Sequence, residues 1–286
     1  MPRTAVPDNA AATPAAGDGR TAPGEEALHL SDVSISLGER GGRPILRGID
    51  LAVRRGEFLC IVGRNGAGKS TLCKCVAGIH TGYAGEIRIA GRPVRGIPAR
   101  ERARLVAYVP QSAPTDIPYT VDEFLDMARY PWRNIASRAE DARAVRAAAE
   151  LADIAHLADR KLASLSGGER QKVLIAAAIA QEAACVLMDE PTTYLDYAHQ
   201  VEAMQILSRV RRERGATMLL VTHDVNMALL LSDTVVALAD GCVAWSGAPD
   251  AMTDPALLER IFGIPFARYV APGATPPAMV APVARL

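Results

Sequence analysis

The nine residues Gly63-Arg64-Asn65-Gly66-Ala67-Gly68-Lys69-Ser70-Thr71 leave this chain little freedom in what it can become. An apolar run, 58–62, leads into them and reads as a buried strand, and residues 72–77 can propagate a helix. Strand, glycine-rich turn and helix start are the context in which G-x-x-x-x-G-K-[ST] cradles phosphate. Glycines let successive backbone N–H groups converge on an anion, and the helix N-terminus adds partial positive charge at the same point. In such a loop Lys69 reaches the β- and γ-phosphates of a nucleotide, and the Ser70 hydroxyl sits on Mg²⁺.

The 286 residues can form one large domain or two small ones. Residues 1–26, rich in Ala, Pro and Gly without apolar period, read as a disordered extension, and residues from 271 on read as a loose tail. Between them, 27–270 reads as one domain. Strand patterns fall at 28–37, with a one-residue slip near Asp32, and at 45–53, 87–89 and 105–109. Residues 121–162 then read as helical, which predicts a helical insertion, about 112–166, in a sheet-based domain. Further on, 185–188 and 218–221 read as strands, 196–214 as a helix and 235–245 as a hairpin turning at Asp240-Gly241. Arg211, Arg212 and Arg214 read as cations closing a helix capped by Gly215.

Basic and acidic residues number 32 each, so no global charge draws the chain to nucleic acid or anionic lipid. The five cysteines form no CxxC pair and read as reduced. No apolar run approaches the roughly 20 residues a helix needs to cross a bilayer. If the protein acts at a membrane, another chain provides the span.

Two more stretches carry chemistry. The apolar run 185–188 ends in Asp189-Glu190. At the C-terminal end of a strand beside a phosphate loop, Asp189 can hold Mg²⁺ through water, and Glu190 can orient or deprotonate an attacking water. Leu165-Ser166-Gly167-Gly168-Glu169-Arg170-Gln171 opens a helix with a hydroxyl and converging N–H groups, a second anion site. A single γ-phosphate does not need two such loops from one chain, which points to two chains placed head to tail.

This LSGGERQ stretch resembles the signature of ATP-binding-cassette (ABC) ATPases, and the order of motifs agrees over about 28–262: phosphate loop, Gln111, signature, Asp189-Glu190, Tyr194-Leu195-Asp196, His223. The resemblance implies an α/β P-loop NTPase core with a mixed sheet, an N-terminal antiparallel β region and an inserted helical subdomain. It implies a homodimer of cassettes sandwiching two ATP–Mg²⁺, with Ser166, Gly167, Gly168 and Gln171 of each chain closing over the partner's nucleotide and Asp196 in the D-loop beside it. Glu190 would be the general base, His223 would hold the attacking water against the γ-phosphate, and Gln111 would touch the Mg²⁺ site and report to the helical insertion. Where the family usually carries an aromatic residue to stack on adenine, this chain has Leu37-Gly38, which offers apolar contact without π-stacking.

Within the family, 189–196 followed by His199-Gln200, together with 120–124 and 128–132, resemble cassettes of ferric-siderophore importers; haem, cobalamin and zinc/manganese importers share part of the pattern. The resemblance implies two transmembrane permease subunits as partners, a substrate-binding protein acting indirectly, no nucleic acid, and a peripheral place on the cytoplasmic face of the inner membrane. A cassette acting on DNA or ribosomes is the rival class, usually marked by tandem cassettes or basic arms. Tyr130-Pro131-Trp132 is an aromatic loop in an aromatic-poor chain and predicts an interface anchor, with Trp132 replaceable at the expense of partner assembly and not of the fold.

Overall fold

The computed structural model describes residues 26–38, 42–112, 116–270, 273 and 278–283. Two long strands come first, β1 (Glu26–Leu37) and β2 (Arg43–Arg54), paired antiparallel. The register of β1 shifts around Asp32, whose φ of 48° makes the slip. β3 (Phe58–Gly63), buried along its whole length, runs into the glycine loop, and α1 (Lys69–Val76) leaves it. β4 (Ala84–Ile89) returns to pair with β1, and β5 (Arg92–Pro93) forms the edge of a four-stranded sheet ordered β2-β1-β4-β5. After a single-turn helix, α2 (Ala99–Arg102), the chain enters the second sheet through β6 (Val106–Val109).

Three helices follow: α3 (Val121–Ala128), α4 (Arg138–Leu151) and α5 (Gly167–Ala180). Each opens on the same local device. Thr120, Ser137 and Ser166 are N-caps whose hydroxyls accept from the backbone of Glu123, Glu140 and Glu169, and each glutamate reaches back to the cap's own N–H. This spacing of Ser or Thr with Glu three residues on is why the chain turns helical here.

From β7 (Cys185–Asp189) the chain alternates: α6 (Tyr197–Arg214), β8 (Thr217–Val221), α7 (Val225–Leu231), β9 (Thr234–Ala239), β10 (Cys242–Gly247). The second sheet is ordered β10-β9-β3-β8-β7-β6, with β10 antiparallel to β9 and every other pair parallel. Its inner strands β3, β7 and β8 are buried along their whole length because both faces are covered, while the edge strand β10 is half exposed. Cys60, Val62, Met188 and Leu220 face the core shared with α5, α6 and α7, while Leu59, Ile61, Leu187 and Val221 face α1 and the antiparallel sheet. Burying each such aliphatic side chain stabilises the fold by about 1.5–3 kcal/mol.

The chain closes with α8 (Pro255–Phe262) and the antiparallel pair β11 (Phe266–Val270) and β12 (Ala278–Pro282). Here two expectations are corrected. Glu26, placed in the extension, pairs with Arg54 in β1, while residues 1–25 lie outside the described residues. The loose tail is overturned at 278–282: Ala278 and Val280 are buried, and Asn226 of α7 clamps Val280, donating to its O at 3.0 Å and accepting from its N at 2.9 Å. Alternating small apolar residues with one side-chain clamp make a strand that a Pro/Ala-rich composition disguises. Arg211, as read from the sequence, serves structure: it donates to Leu231 O at 2.9 Å and pairs with Asp233.

The aromatic loop also departs from expectation. Trp132 packs inward, its Nε1 donating to Gln181 O at 2.6 Å with the Arg129 guanidinium 5.5 Å from its ring, while Tyr130 is the aromatic left exposed. Arg129 is itself buried, bound to Asp141 and Glu182 at 2.8 Å and to Ala180 O at 2.7 Å. Trp132 therefore ties α3 to the end of α5. Trp132→Ala is expected to destabilise the fold by about 2–3 kcal/mol and Trp132→Phe, which keeps one aromatic ring but loses the N–H and part of the indole, by about 1–2 kcal/mol, read as the shift in a thermal or urea unfolding midpoint.

Candidate active site

Four strands of the parallel sheet deliver the functional residues, all at their C-terminal ends, where open α/β sheets bind ligands. β3 ends at Gly63 and the glycine loop, β8 at Thr222-His223, β7 at Asp189-Glu190 and β6 just before Gln111. They border one cleft of about 630 Å³ lined by Asn65, Gly66, Gly68, Lys69, Ser70, Thr71, Gln111, Glu190, Thr193 and His223, with Ile45 and Tyr194 at its sides.

The loop conformation needs its glycines. Gly63 has φ 148°, and a Cβ there would lie 2.2 Å from Leu238 O; Gly68, at φ 100°, would push one to 2.7 Å from Leu46 Cδ2. Gly68 is also the N-cap of α1, so the free N–H groups of the first turn open on the cleft. Lys69 is buried and donates from Nζ to Gly63 O at 2.9 Å and Arg64 O at 3.2 Å, with Glu190 Oε1 at 3.7 Å. Burial lowers its pKa, and the Glu190 and Asp189 carboxylates oppose that fall.

Asp189 accepts from Ser70 Oγ at 2.8 Å on one oxygen and from Tyr108 OH at 3.2 Å on the other. Its carboxyl pKa is raised by burial, against the two hydroxyl donors. Glu190 takes a φ of 48°, sparsely populated for a residue with a Cβ, and its N–H is fixed on Val221 O at 2.9 Å. Its Oε2 accepts from Thr193 Oγ1 at 2.9 Å and Gln111 Nε2 at 3.3 Å and lies 3.2 Å from His223 Nδ1. Lysine, glutamine and histidine thus converge on one buried carboxylate.

The structure gathers 63–71, Gln111, Asp189, Glu190 and His223, and keeps the other sequence candidates apart from that cleft. Gly167 and Gln171 line a neighbouring pocket that Gln111, Glu190 and Tyr194 share. The Ser166 hydroxyl is engaged as the cap of α5, and Gly168 and Asp196 meet through His199. Leu37 ends β1 partly exposed and does not line the cleft, whereas Ile45 does. Tyr108, Thr193 and Ile45 were not legible as site residues. Tyr108 sits at the strand position that alternates with buried Ala107 and Val109 and points to Asp189, a parity that the sequence carries only once the strand's facing is known.

Among the described residues no three His, Cys, Asp or Glu side chains cluster as metal ligands. The adjacent Ser70 hydroxyl and Asp189 carboxylate are hard oxygen donors, a fit for Mg²⁺, which keeps most of its shell for water and phosphate. No described helix is long and apolar enough to cross a membrane.

Residues 46–193 match the ABC transporter family. The chain is 36% identical over 242 residues to the ferric enterobactin transport ATP-binding protein FepC of Escherichia coli K12, covering 84% of this chain and 89% of the relative. It is 39% identical over 244 residues to the hemin import ATP-binding protein HmuV of Streptomyces coelicolor, covering 85% and 86%. Among solved structures, a metal-chelate type ABC transporter in an inward-facing conformation superposes with a TM-score of 0.76 at 25% identity, covering 91% of this chain and 98% of that one. The dimeric cassette MJ0796 bound to ADP and Pi superposes with a TM-score of 0.67 at 27% identity, covering 78% and 98%. With its glycine loop, paired acids and signature helix on this scaffold, the chain belongs to the ATP-binding proteins of ABC transporters.

Proposed function

We propose that this chain is the ATP-hydrolysing subunit of a bacterial importer for an iron–siderophore or related metal chelate, working as a head-to-tail dimer on two permease subunits at the cytoplasmic face of the inner membrane. The observation that carries the chemistry is the Glu190 carboxylate, held at the mouth of the phosphate loop by Thr193 and Gln111 with His223 3.2 Å away. The cargo class comes from the relatives, whose names specify ferric enterobactin, hemin and iron(3+)-hydroxamate. A substrate-binding protein would act through the permease and not touch this chain.

In this reading the α1 N–H groups and Lys69 take the β- and γ-phosphates of ATP, Lys69 exchanging its bonds to Gly63 and Arg64 for phosphate oxygens. Ser70 and Asp189 would hold Mg²⁺, which neutralises phosphate charge when bound, with Gln111 beside it. Glu190 accepts a proton from the attacking water as the oxygen bonds to the γ-phosphorus and the bond to the β-phosphate oxygen breaks, leaving ADP and phosphate. His223 holds that water and the γ-phosphate in line. Ser166, Gly167, Gly168 and Gln171 would close over the partner's γ-phosphate with Asp196 beside them, and the Ser166 hydroxyl would then trade its cap role for a phosphate oxygen.

An apolar groove of about 470 Å³ between α3 and α5, lined by Pro110, Ile117, Phe124, Met127, Leu174 and Ala177, fits a permease helix. Pro110 lies in this groove and Gln111 in the cleft, so one peptide joins the two.

Three outcomes test the reading. Glu190→Gln should keep nucleotide binding while ATP turnover falls by 10²–10⁴, measured as phosphate release; loss below tenfold would remove Glu190 from the role of base. With Leu37 at the end of β1 in place of an aromatic residue, kcat/KM for ATP and GTP should be comparable, and a hundredfold preference for ATP would show that another group reads the base. Pull-down of tagged Glu190→Gln with ATP from solubilised host membranes should recover a polytopic permease whose binding protein carries an iron chelate. Recovery of ribosomes or DNA without a membrane protein would overturn import and leave the ATPase chemistry standing.

A further inference from the structure

His199 lies outside the phosphate cleft, yet it makes a contact that helix capping does not explain. Asp196, the N-cap of α6, accepts on one oxygen from the His199 N–H at 2.9 Å and holds the ring at 2.8 Å from Nδ1. The backbone bond is ordinary capping. The second bond holds the imidazole at the start of its own helix, where it lies against the first turn of α5. A Cβ built on Gly168 would lie 2.0 Å from His199 Cδ2 and 2.4 Å from Cγ, so the ring occupies the space that only a glycine leaves free. Gly168 is buried beneath it, although Gly167 beside it is exposed.

The consequence is a three-part strut of Asp196, His199 and Gly168. It joins two segments from opposite ends of β7, the loop that follows Glu190 and the helix that starts at Ser166. In the head-to-tail arrangement proposed above, on which this inference rests, both segments present themselves to the partner chain's nucleotide. We propose that His199 is a positioning residue for the partner's site: by bracing Gly168 against Asp196 it makes signature helix and D-loop a single preformed edge, so that closure of the dimer does not have to order them separately. His199 does not line the phosphate cleft, so a monomer's nucleotide binding should not depend on it.

The test uses the full chain in the Glu190→Gln background, where ATP should trap the closed dimer. Three substitutions separate the parts of the strut. His199→Ala removes ring and hydrogen bond, His199→Asn keeps a donor for Asp196 without the ring, and His199→Phe keeps a ring without the donor. Dimerisation against protein concentration is measured by ultracentrifugation, monomer affinity with a fluorescent ATP analogue, and folding by thermal unfolding. For His199→Ala the dimer dissociation constant should rise about tenfold, the size of one lost packing contact, with monomer nucleotide affinity unchanged. His199→Asn and His199→Phe should fall between it and the parent. Gly168→Ala should weaken the dimer, and Gly168→Ala/His199→Ala should recover part of the loss because the added methyl then has room. An unchanged dimer in His199→Ala, or equal losses in monomer binding and dimerisation, would overturn the strut. If the Glu190→Gln parent itself fails to dimerise with ATP, the nucleotide sandwich falls and the strut with it.

Discussion

The parallel register that sets Asp189 opposite Val221 is the constraint from which the site follows. It brings the ends of β7 and β8 level, so that the N–H of Glu190 can bond Val221 O and the next residue on each strand leaves the sheet toward the glycine loop. β3 lies on the other side of β8, with Ile61 opposite Val221. One residue of slip in either ladder would turn Asp189 from Ser70 toward the opposite face and carry Glu190 away from Lys69. The register is held by apolar side chains on both faces, which makes the two cores of the molecule the support of its chemistry.

Against that support the site concentrates local cost. Glu190 takes a left-handed backbone, Lys69 and Asp189 are buried, and Gly63 and Gly68 hold conformations that no other residue could take in that space. Each of these conflicts with ordinary stability, and the three charged groups are each compensated by specific partners: Thr193 and Gln111 for Glu190, the loop carbonyls for Lys69, Ser70 and Tyr108 for Asp189. Rules broken and repaired at one place are how a working site differs from a merely packed interior.

Much of this was legible beforehand because it is local. Residues 63–71, the apolar run into Asp189-Glu190 and the Ser-x-x-Glu spacing at 166–169 each carry their conformation in adjacent residues. What failed to show depended on distant partners. Trp132 read as an exposed anchor because its acceptor, Gln181 O, is 49 positions away. Residues 278–282 read as loose because proline and alanine disguise an alternation that only Asn226 and the core give meaning. Tyr108 and Ile45 entered the site by strand parity and by the approach of the antiparallel sheet, neither of which a linear pattern specifies.

The Asn226 clamp also bears on the order in which the molecule is made. α7 begins immediately after His223-Asp224, and its second residue is held by Val280, 54 positions later in the chain. Every strand of the parallel sheet has been synthesised before that partner exists. Until that segment is made, the helix behind His223 lacks the side-chain strap that ties it to β12. The glycine loop is thus closed by neighbouring residues, whereas the helix behind His223 is braced from the far end of the described chain.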